Sequence, residues 1–420
     1  MYKVTRLENG LTVATASMPH MASVAVGIWV GVGGRHEPAR WNGISHFIEH
    51  MLFKGTRRRN AAQISEAVEG IGGYLNAFTD EEHTCFYARA QRDRLPELVD
   101  VLMDMFLDSQ FDPTEINKER AVIKDEIAMY LDQPAEHVHD LLNALQFPRH
   151  PLGRPVIGTP RTLNGMTRRD FFRYVESRYV TSATVITAAG NLRHSDLLKQ
   201  VRRRARAFRR GERPSYEAAP AHHAGPSVRV TCRDIEQSNL SLGIRTCSRH
   251  DPRRYALRLL NVVLGENMSS RLFQVIREQH GLTYNVHSST SFWDDCGDLV
   301  ISAGLDTSEV SRTLKLIRQE LHKLTEKAPT PAELHRARDY VLGQHELQLE
   351  NTENHMMLLG EHWLCYGRVP VADEVKAAFD AVRPSDLGAV ARDFFRPEHF
   401  SLALIGPRKR SDDLARVLAN

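Results

Sequence analysis

His46, Glu49 and His50 stand in the order His-x-x-Glu-His, a spacing that carries chemistry if it falls on a helix. Residues four apart point the same way, so the two imidazoles share one face, and Glu49, three past His46, borders it. Two neutral imidazoles with a carboxylate beside them are what a catalytic zinc ion and its activated water require. The order inverts the commoner His-Glu-x-x-His of zinc peptidases. The alternative is a pair of core histidines bonded to backbone carbonyls, which a chain with 20 histidines permits.

The pairing needs a helix to position it. Asn42-Gly43-Ile44-Ser45 offers a turn with Asn42 or Ser45 as N-cap, and Lys54-Gly55-Thr56 offers a stop. Phe47, Ile48, Met51, Leu52 and Phe53 supply the buried side. A catalytic zinc keeps three protein ligands and one open position, so another residue must come from elsewhere. Asp112-Pro113-Thr114-Glu115 combines an N-cap, a proline in the first turn and an acidic third position, and opens a helix that runs to Ile127. Glu119 and Glu126 lie seven apart on it, beside Ile116, Ile123 and Ile127, and so face the core. An unpaired charge is costly there, and zinc is one cation that would satisfy it.

With Met51 to Thr56 following the pentad and Glu126 lying 76 residues beyond His50, these residues resemble the pitrilysin/insulinase family of zinc peptidases. Asn9-Gly10-Leu11, Gly72 to Thr79 and Ser269 to Phe273 extend the likeness almost end to end. It is nearest to the single-module bacterial members and the catalytic subunit of the mitochondrial processing peptidase. The resemblance implies one zinc ion per chain held by His46, His50 and Glu126, with Glu49 as base and Glu119 assisting near the metal. It also implies that Arg277 holds a substrate carbonyl and that Tyr284, seven residues on, donates to the oxyanion. On the residues alone, Arg277 complements the end of a helix capped by Gly281, and Tyr284 packs at the start of a strand.

By the same resemblance Asn76, Ala77 and Glu82 belong to the substrate-facing region; from their charge, Glu81 and Glu82 would favour basic peptides. Gly72 and Gly73 let the strand over 74–79 run close to another backbone, as suits an edge that takes an extended peptide by β-addition; the alternative is an interior strand with a glycine turn. The implied function is a zinc metalloendopeptidase that hydrolyses extended or unfolded peptides, in processing or in degradation. The competing class is a non-catalytic structural or partner subunit of the same fold. Larger relatives enclose substrate between two bodies of this size, which implies a clamshell here, built as a homodimer or as a heterodimer with a homologous subunit.

The 420 residues suffice for two or three domains. A net charge of +3 is too small to predict nucleic-acid binding, and the run Arg202-Arg203-Arg204 with Arg206, Arg209 and Arg210 has no interleaved aromatics for base stacking. Five scattered cysteines without a Cys-x-x-Cys pair point to a reducing compartment. With no apolar run of membrane-spanning length and no leader-like start, the expected location is a bacterial cytoplasm, although a processed organellar chain would read the same.

Thr330-Pro331-Ala332-Glu333 repeats the start of the Glu119 helix 218 residues later, and Ile405-Gly406-Pro407 repeats Ala189-Gly190-Asn191 after 216. Two landmarks at nearly one offset indicate an internal duplication. Under it Glu119 falls on Ala337 and Glu126 on Gln344, and the helix over 255–264 has no histidine, so the second copy lacks the metal motif. The expected fold is α+β: two homologous sandwich-like domains, each a mostly antiparallel sheet with helices packed on it. Their boundaries are 1–210 for the zinc-binding catalytic domain, 211–226 for a linker, and 227–420 for the copy that contributes Arg277 and Tyr284. His222 and His223 sit in the linker, where adjacent residues do not converge on one ion.

Overall fold

The computed structural model describes residues 2–220 and 225–419, so His222 and His223 lie outside the described residues. In the first half the chain runs β1 (Tyr2–Arg6), β2 (Thr12–Ser17), β3 (Ser23–Val30), α1 (Ile44–Leu52), α2 (Ala61–Glu69), β4 (Tyr74–Thr79) and β5 (Thr84–Gln91). It continues through α3 (Leu95–Asp108), α4 (Pro113–Leu131), α5 (Pro134–Gln146), α6 (Pro160–Gly165), α7 (Arg168–Arg178), β6 (Thr184–Gly190) and α8 (His194–Arg204). The second half holds β7 (Ser227–Cys232), β8 (Ser238–Thr246), α9 (Arg254–Asn261), β9 (Asn285–Phe292), β10 (Gly297–Leu305) and α10 (Val310–Glu326). It ends with α11 (Pro331–Gln348), α12 (Thr352–Tyr366), α13 (Ala372–Asp380), α14 (Pro384–Phe394), β11 (Phe400–Gly406) and α15 (Asp412–Ala419).

The duplication is written in the sheets. One has the order β1-β2-β6-β3-β5-β4 and the other β7-β11-β8-β10-β9, so removal of β1 leaves the same pattern twice. Each sheet has a single parallel pair, β2 with β6 and β7 with β11, and is otherwise antiparallel. Two sheet-and-helix bodies of one topology are the α+β fold the sequence predicts.

The compact units are not the two halves of the sequence. One comprises Met1–Ala128, Pro155–Glu217 and Glu346–Pro370, and the other Met129–Arg154, Ala218–His345 and Val371–Asn420. The copies have exchanged a helix, which a single cut near 211–226 does not capture. In the first unit α1, α2, α3 and α8 cover one sheet face, burying Phe47, Ile48, Met51, Leu98 and Leu102 against Val26, Ile28 and Phe86. The opposite face, with Ala25, Trp29 and Val185, is covered by Met356, Leu359 and Leu364 of α12. Gly360 lets that helix lie directly on the Trp29 indole, since a Cβ there would collide with the ring. In the second unit Val138, Leu141 and Leu142 of α5 cover Val300, Ala403 and Ile405 in the same way. Burying both faces of a sheet needs a helix on each side, and each copy draws its second one from the other half of the chain.

Some element ends differ from expectation. The helix over 255–264 continues past α9 as a π-helical turn, Val262–Glu266, and the Arg277 helix is π-helical over Phe273–Gln279 before Gly281 turns it at φ +62°. The arginine run ends α8 in acidic company, Arg204 pairing with Asp108 and Arg209 with Glu176 at 3.0 Å. Among the described residues no helix is long and apolar enough to cross a membrane.

Candidate metal centre

The sheet and the α1 sequence together place the pentad. Ile44, Phe47, Ile48, Met51 and Leu52 are buried, which anchors one side of α1 in the core and leaves Glu49 facing β4 and the two imidazoles facing α4 side chains. The two imidazole centroids are 4.7 Å apart. From α4, the Oε2 of Glu126 lies 3.9 Å from His46 Nε2 and 3.6 Å from His50 Nε2. These three ligand atoms lie within 4.8 Å of one another and form the one metal-competent group of three among the described residues.

The donors fit zinc. Ligand atoms at 2.0–2.1 Å in a tetrahedron are about 3.3 Å apart, so the His50 distance must close by about 0.3 Å and the His46 distance by about 0.6 Å. Burial, with a contribution from His50, drives the His46 pKa down to about 3, so that ring is neutral, as a ligand must be. Burial also raises the Glu126 carboxyl above its usual value, against the opposing effect of His50. Two imidazole nitrogens and one carboxylate are a catalytic zinc set with room for a fourth ligand.

Surrounding groups orient this set. Glu119, 5% exposed, meets the Nδ1 of His50 at 3.1 Å, and Lys54 meets its other oxygen at 2.8 Å. A carboxylate on the distal nitrogen of a ligand histidine fixes the ring and its tautomer. The Thr79 hydroxyl, at the end of β4, donates to Glu49 Oε2 at 2.6 Å. Burial raises the Glu49 carboxyl, the Thr79 bond and His50 oppose that, and Glu126 adds to it. The result is a carboxylate beside the metal site that takes protons more readily than a solvated one.

The start of α1 departs from expectation. Neither Asn42 nor Ser45 caps it: Gly43 is the N-cap, at φ +93°, with no side-chain cap bond. Glu37 does the work instead, accepting from the Gly43 and Ser45 amides at 2.7 and 2.8 Å and from Asn42 Nδ2 at 3.2 Å. Asp112 does cap α4 as predicted, accepting from the Thr114 and Glu115 amides.

Asn76 and Ala77 lie on β4, which is the outer strand of its sheet. Asn76 is exposed; its Nδ2 donates to the Tyr74 hydroxyl at 2.6 Å and its Oδ1 accepts from the Ala77 amide at 2.9 Å. That amide thus points away from β5. Glu82 is corrected. It is 6% exposed and its carboxylate takes Arg35 Nη1 at 2.7 Å, so it is held in a buried ion pair and does not face a substrate. Its place in the β4–β5 turn, and not an alternation with Asn76, decides this.

Arg277 and Tyr284 are brought together in the second unit: the guanidinium lies 4.6 Å from the Phe273 ring centroid and 5.5 Å from that of Tyr284. Tyr284 is 89% exposed, so it does not pack at its strand end. Sequence reasoning did not single out Thr79, Lys54 or Glu37. Lys54 had a signal, four residues past His50 on the same face, whereas Thr79 and Glu37 reach the site only through the sheet and a loop.

Residues 12–160 match the family profile Insulinase (Peptidase family M16), and residues 165–341 match the profile Peptidase M16 inactive domain. An uncharacterised zinc protease of Streptomyces coelicolor is 40% identical over 415 residues, covering 96% of this chain and 89% of the relative. The zinc protease YmxG of Bacillus subtilis is 37% identical, over 97% of this chain and 98% of its own length. The crystal structure of a protease from Helicobacter pylori superposes with a TM-score of 0.91 at 20% identity, over 97% of this chain and 99% of that one, a likeness of fold. With matches of this extent, the chain belongs to the insulinase family of peptidases, peptidase family M16.

Proposed function

We propose that the chain is a zinc-dependent endopeptidase that hydrolyses extended peptides. The observation that carries the reading is the convergence of His46 Nε2, His50 Nε2 and Glu126 Oε2 beside Glu49. Relatives named zinc proteases support zinc as the ion. Bound there, zinc supplies a Lewis acid that acidifies water and polarises a carbonyl. Glu49 then accepts the proton of the attacking water and passes it to the leaving amine, a transfer its raised pKa favours. Thr79 holds that carboxylate in place, and Glu119 with Lys54 holds His50.

The β4 edge would accept the substrate as an added strand, with Asn76 swinging aside to free the Ala77 amide. Arg277 would hold a substrate carbonyl, and the exposed Tyr284 hydroxyl would stabilise the oxyanion. The second copy has Ala337 and Gln344 where the first has its carboxylates, so one ion per chain is assigned. We assign the working form to a dimer, with itself or a homologous subunit, and its location to the cytoplasm.

Zinc analysis and cleavage of an unstructured peptide by the purified chain test this. One zinc per chain is expected, with cleavage abolished by a chelator and restored by zinc. Glu49→Gln should keep the ion and lose roughly 100- to 10,000-fold in kcat. Zinc-free protein that leaves the peptide uncut would favour a scaffold role, and undiminished cleavage by Glu49→Gln would remove Glu49 as the base.

A further inference from the structure

The two ligand histidines are held by different means. His50 has a carboxylate on its Nδ1, whereas the Nδ1 of His46 is buried and has no hydrogen-bond partner among the described residues. A ligand imidazole is ordinarily oriented through its second nitrogen. Lacking that, the His46 ring depends on where the helix backbone carries it.

That backbone is the first turn of α1, and Glu37 grips it. One carboxylate oxygen serves the Gly43 amide and Asn42, and the other serves the amide of Ser45, the residue directly before His46. Gly43 leaves no alternative: a Cβ there would lie 2.7 Å from Gly158 Cα and from the Ile157 carbonyl. The loop that delivers Glu37 is itself pinned to the β4–β5 turn. Gly34 and Arg35 donate backbone bonds to Asp80 and Glu81 at 3.0 and 2.7 Å, and Arg35 holds Glu82.

We infer that Glu37 is a positioning residue for the metal centre: through the first turn of α1 its carboxylate sets the Nε2 of His46, and through its loop it ties that turn to the hairpin bearing the β4 edge. The inference rests on His46, His50 and Glu126 being the ligand set. A mere cap would lower stability when removed but leave the affinity of the folded protein for zinc alone.

The test titrates zinc into the full chain, stripped of metal, against a chromophoric chelator, alongside thermal melting. Gln at position 37 brings one acceptor oxygen and one amide donor, so it can serve Ser45 or Gly43 but not both. Glu37→Gln should weaken zinc binding roughly 10- to 100-fold. Tyr174→Phe is the control, since it removes the 3.0 Å contact to the Ser45 hydroxyl in the same turn and leaves Glu37 intact; it should melt lower yet bind zinc within about twofold of the parent.

A cooperatively folded Glu37→Gln chain within about twofold of the parent overturns the inference. So does a Tyr174→Phe chain weakened as much as Glu37→Gln, because any loosening of the turn would then suffice. If Glu37→Gln does not fold, Glu37→Asp, which keeps both oxygens one methylene short, is measured against the same limits. A parent chain that takes up no zinc removes the ligand set and this inference with it, whereas a tight parent and an equally tight variant remove this inference alone.

Discussion

His36 shows how closely the loop ahead of the metal helix is packed. Its Nδ1 accepts the Gly33 amide at 3.2 Å, and burial with nearby Arg178, His83, Arg35 and Arg213 drives its pKa down to about 3. The folded value lies below the unfolded value of about 6.5, so between those limits the unfolded chain binds a proton that the folded chain refuses. Stability from this site is complete above pH 6.5 and is lost as the pH falls, by at most about 1.4 kcal/mol per pH unit. His36→Asn, whose side-chain oxygen can still accept from Gly33, should flatten that loss. Urea denaturation midpoints at pH 5 and pH 6.5 read it: the parent midpoint falls more between them than that of the variant. An equal fall in both would remove His36 from the account.

Legibility at this scale followed spacing. His46, Glu49 and His50 were readable because four residues on a helix fix a shared face whatever surrounds it. Glu119 and Glu126 were readable as core-facing for the same reason, but which one joins the metal was not in the helix period, since residues seven apart look alike. The structure separates them by what each meets: Glu126 the two Nε2 atoms, and Glu119 a distal nitrogen and Lys54. Glu82 was placed with the substrate-facing residues by resemblance, and only the fold brings Arg35 to it from 47 positions away.

Among elements, β4 is the one that the proposed activity bears on most directly. Its Ala77 amide faces outward and is held only by the Asn76 side chain, a bond that an incoming strand would replace. Proline is tolerated on an edge strand where the missing amide faces outward. Ala77→Pro should therefore leave zinc content and folding close to the parent and raise KM for an extended peptide by about tenfold, the equivalent of one charge-free hydrogen bond of roughly 1 kcal/mol plus the lost fit. Peptide cleavage kinetics check it, and an unchanged KM would place the substrate elsewhere. The strands and helices were largely legible from alternation and from caps such as Asp112. The start of α1 was not, because its cap is a carboxylate six and eight positions upstream of the amides it binds.

For the molecule as a whole, the repeated strand order could be anticipated from two landmarks at one offset, but the exchange of α5 and α12 could not. Amphipathic helices reveal that one face is buried and say nothing about which sheet buries it. The exchange makes a definite prediction about fragments. Residues 1–217 made alone lack α12, leaving Ala25, Trp29 and Val185 uncovered, and carry α5 with nothing to cover. That fragment should be insoluble or melt without cooperativity, and co-expression with residues 218–420 should rescue both as a complex. A fragment 1–217 that melts cooperatively by itself would contradict it.

The same exchange sets an order of events at the ribosome. The first sheet has all its strands once β6 has emerged, yet the helix that closes its second face ends at Tyr366. At bacterial or eukaryotic elongation rates the interval is on the order of ten seconds or more, during which a nascent chain displays an apolar sheet surface with no lid. Holdase chaperones should therefore engage this protein late in translation, after His46, His50 and Glu126 have been made and before the fold that orients them is complete.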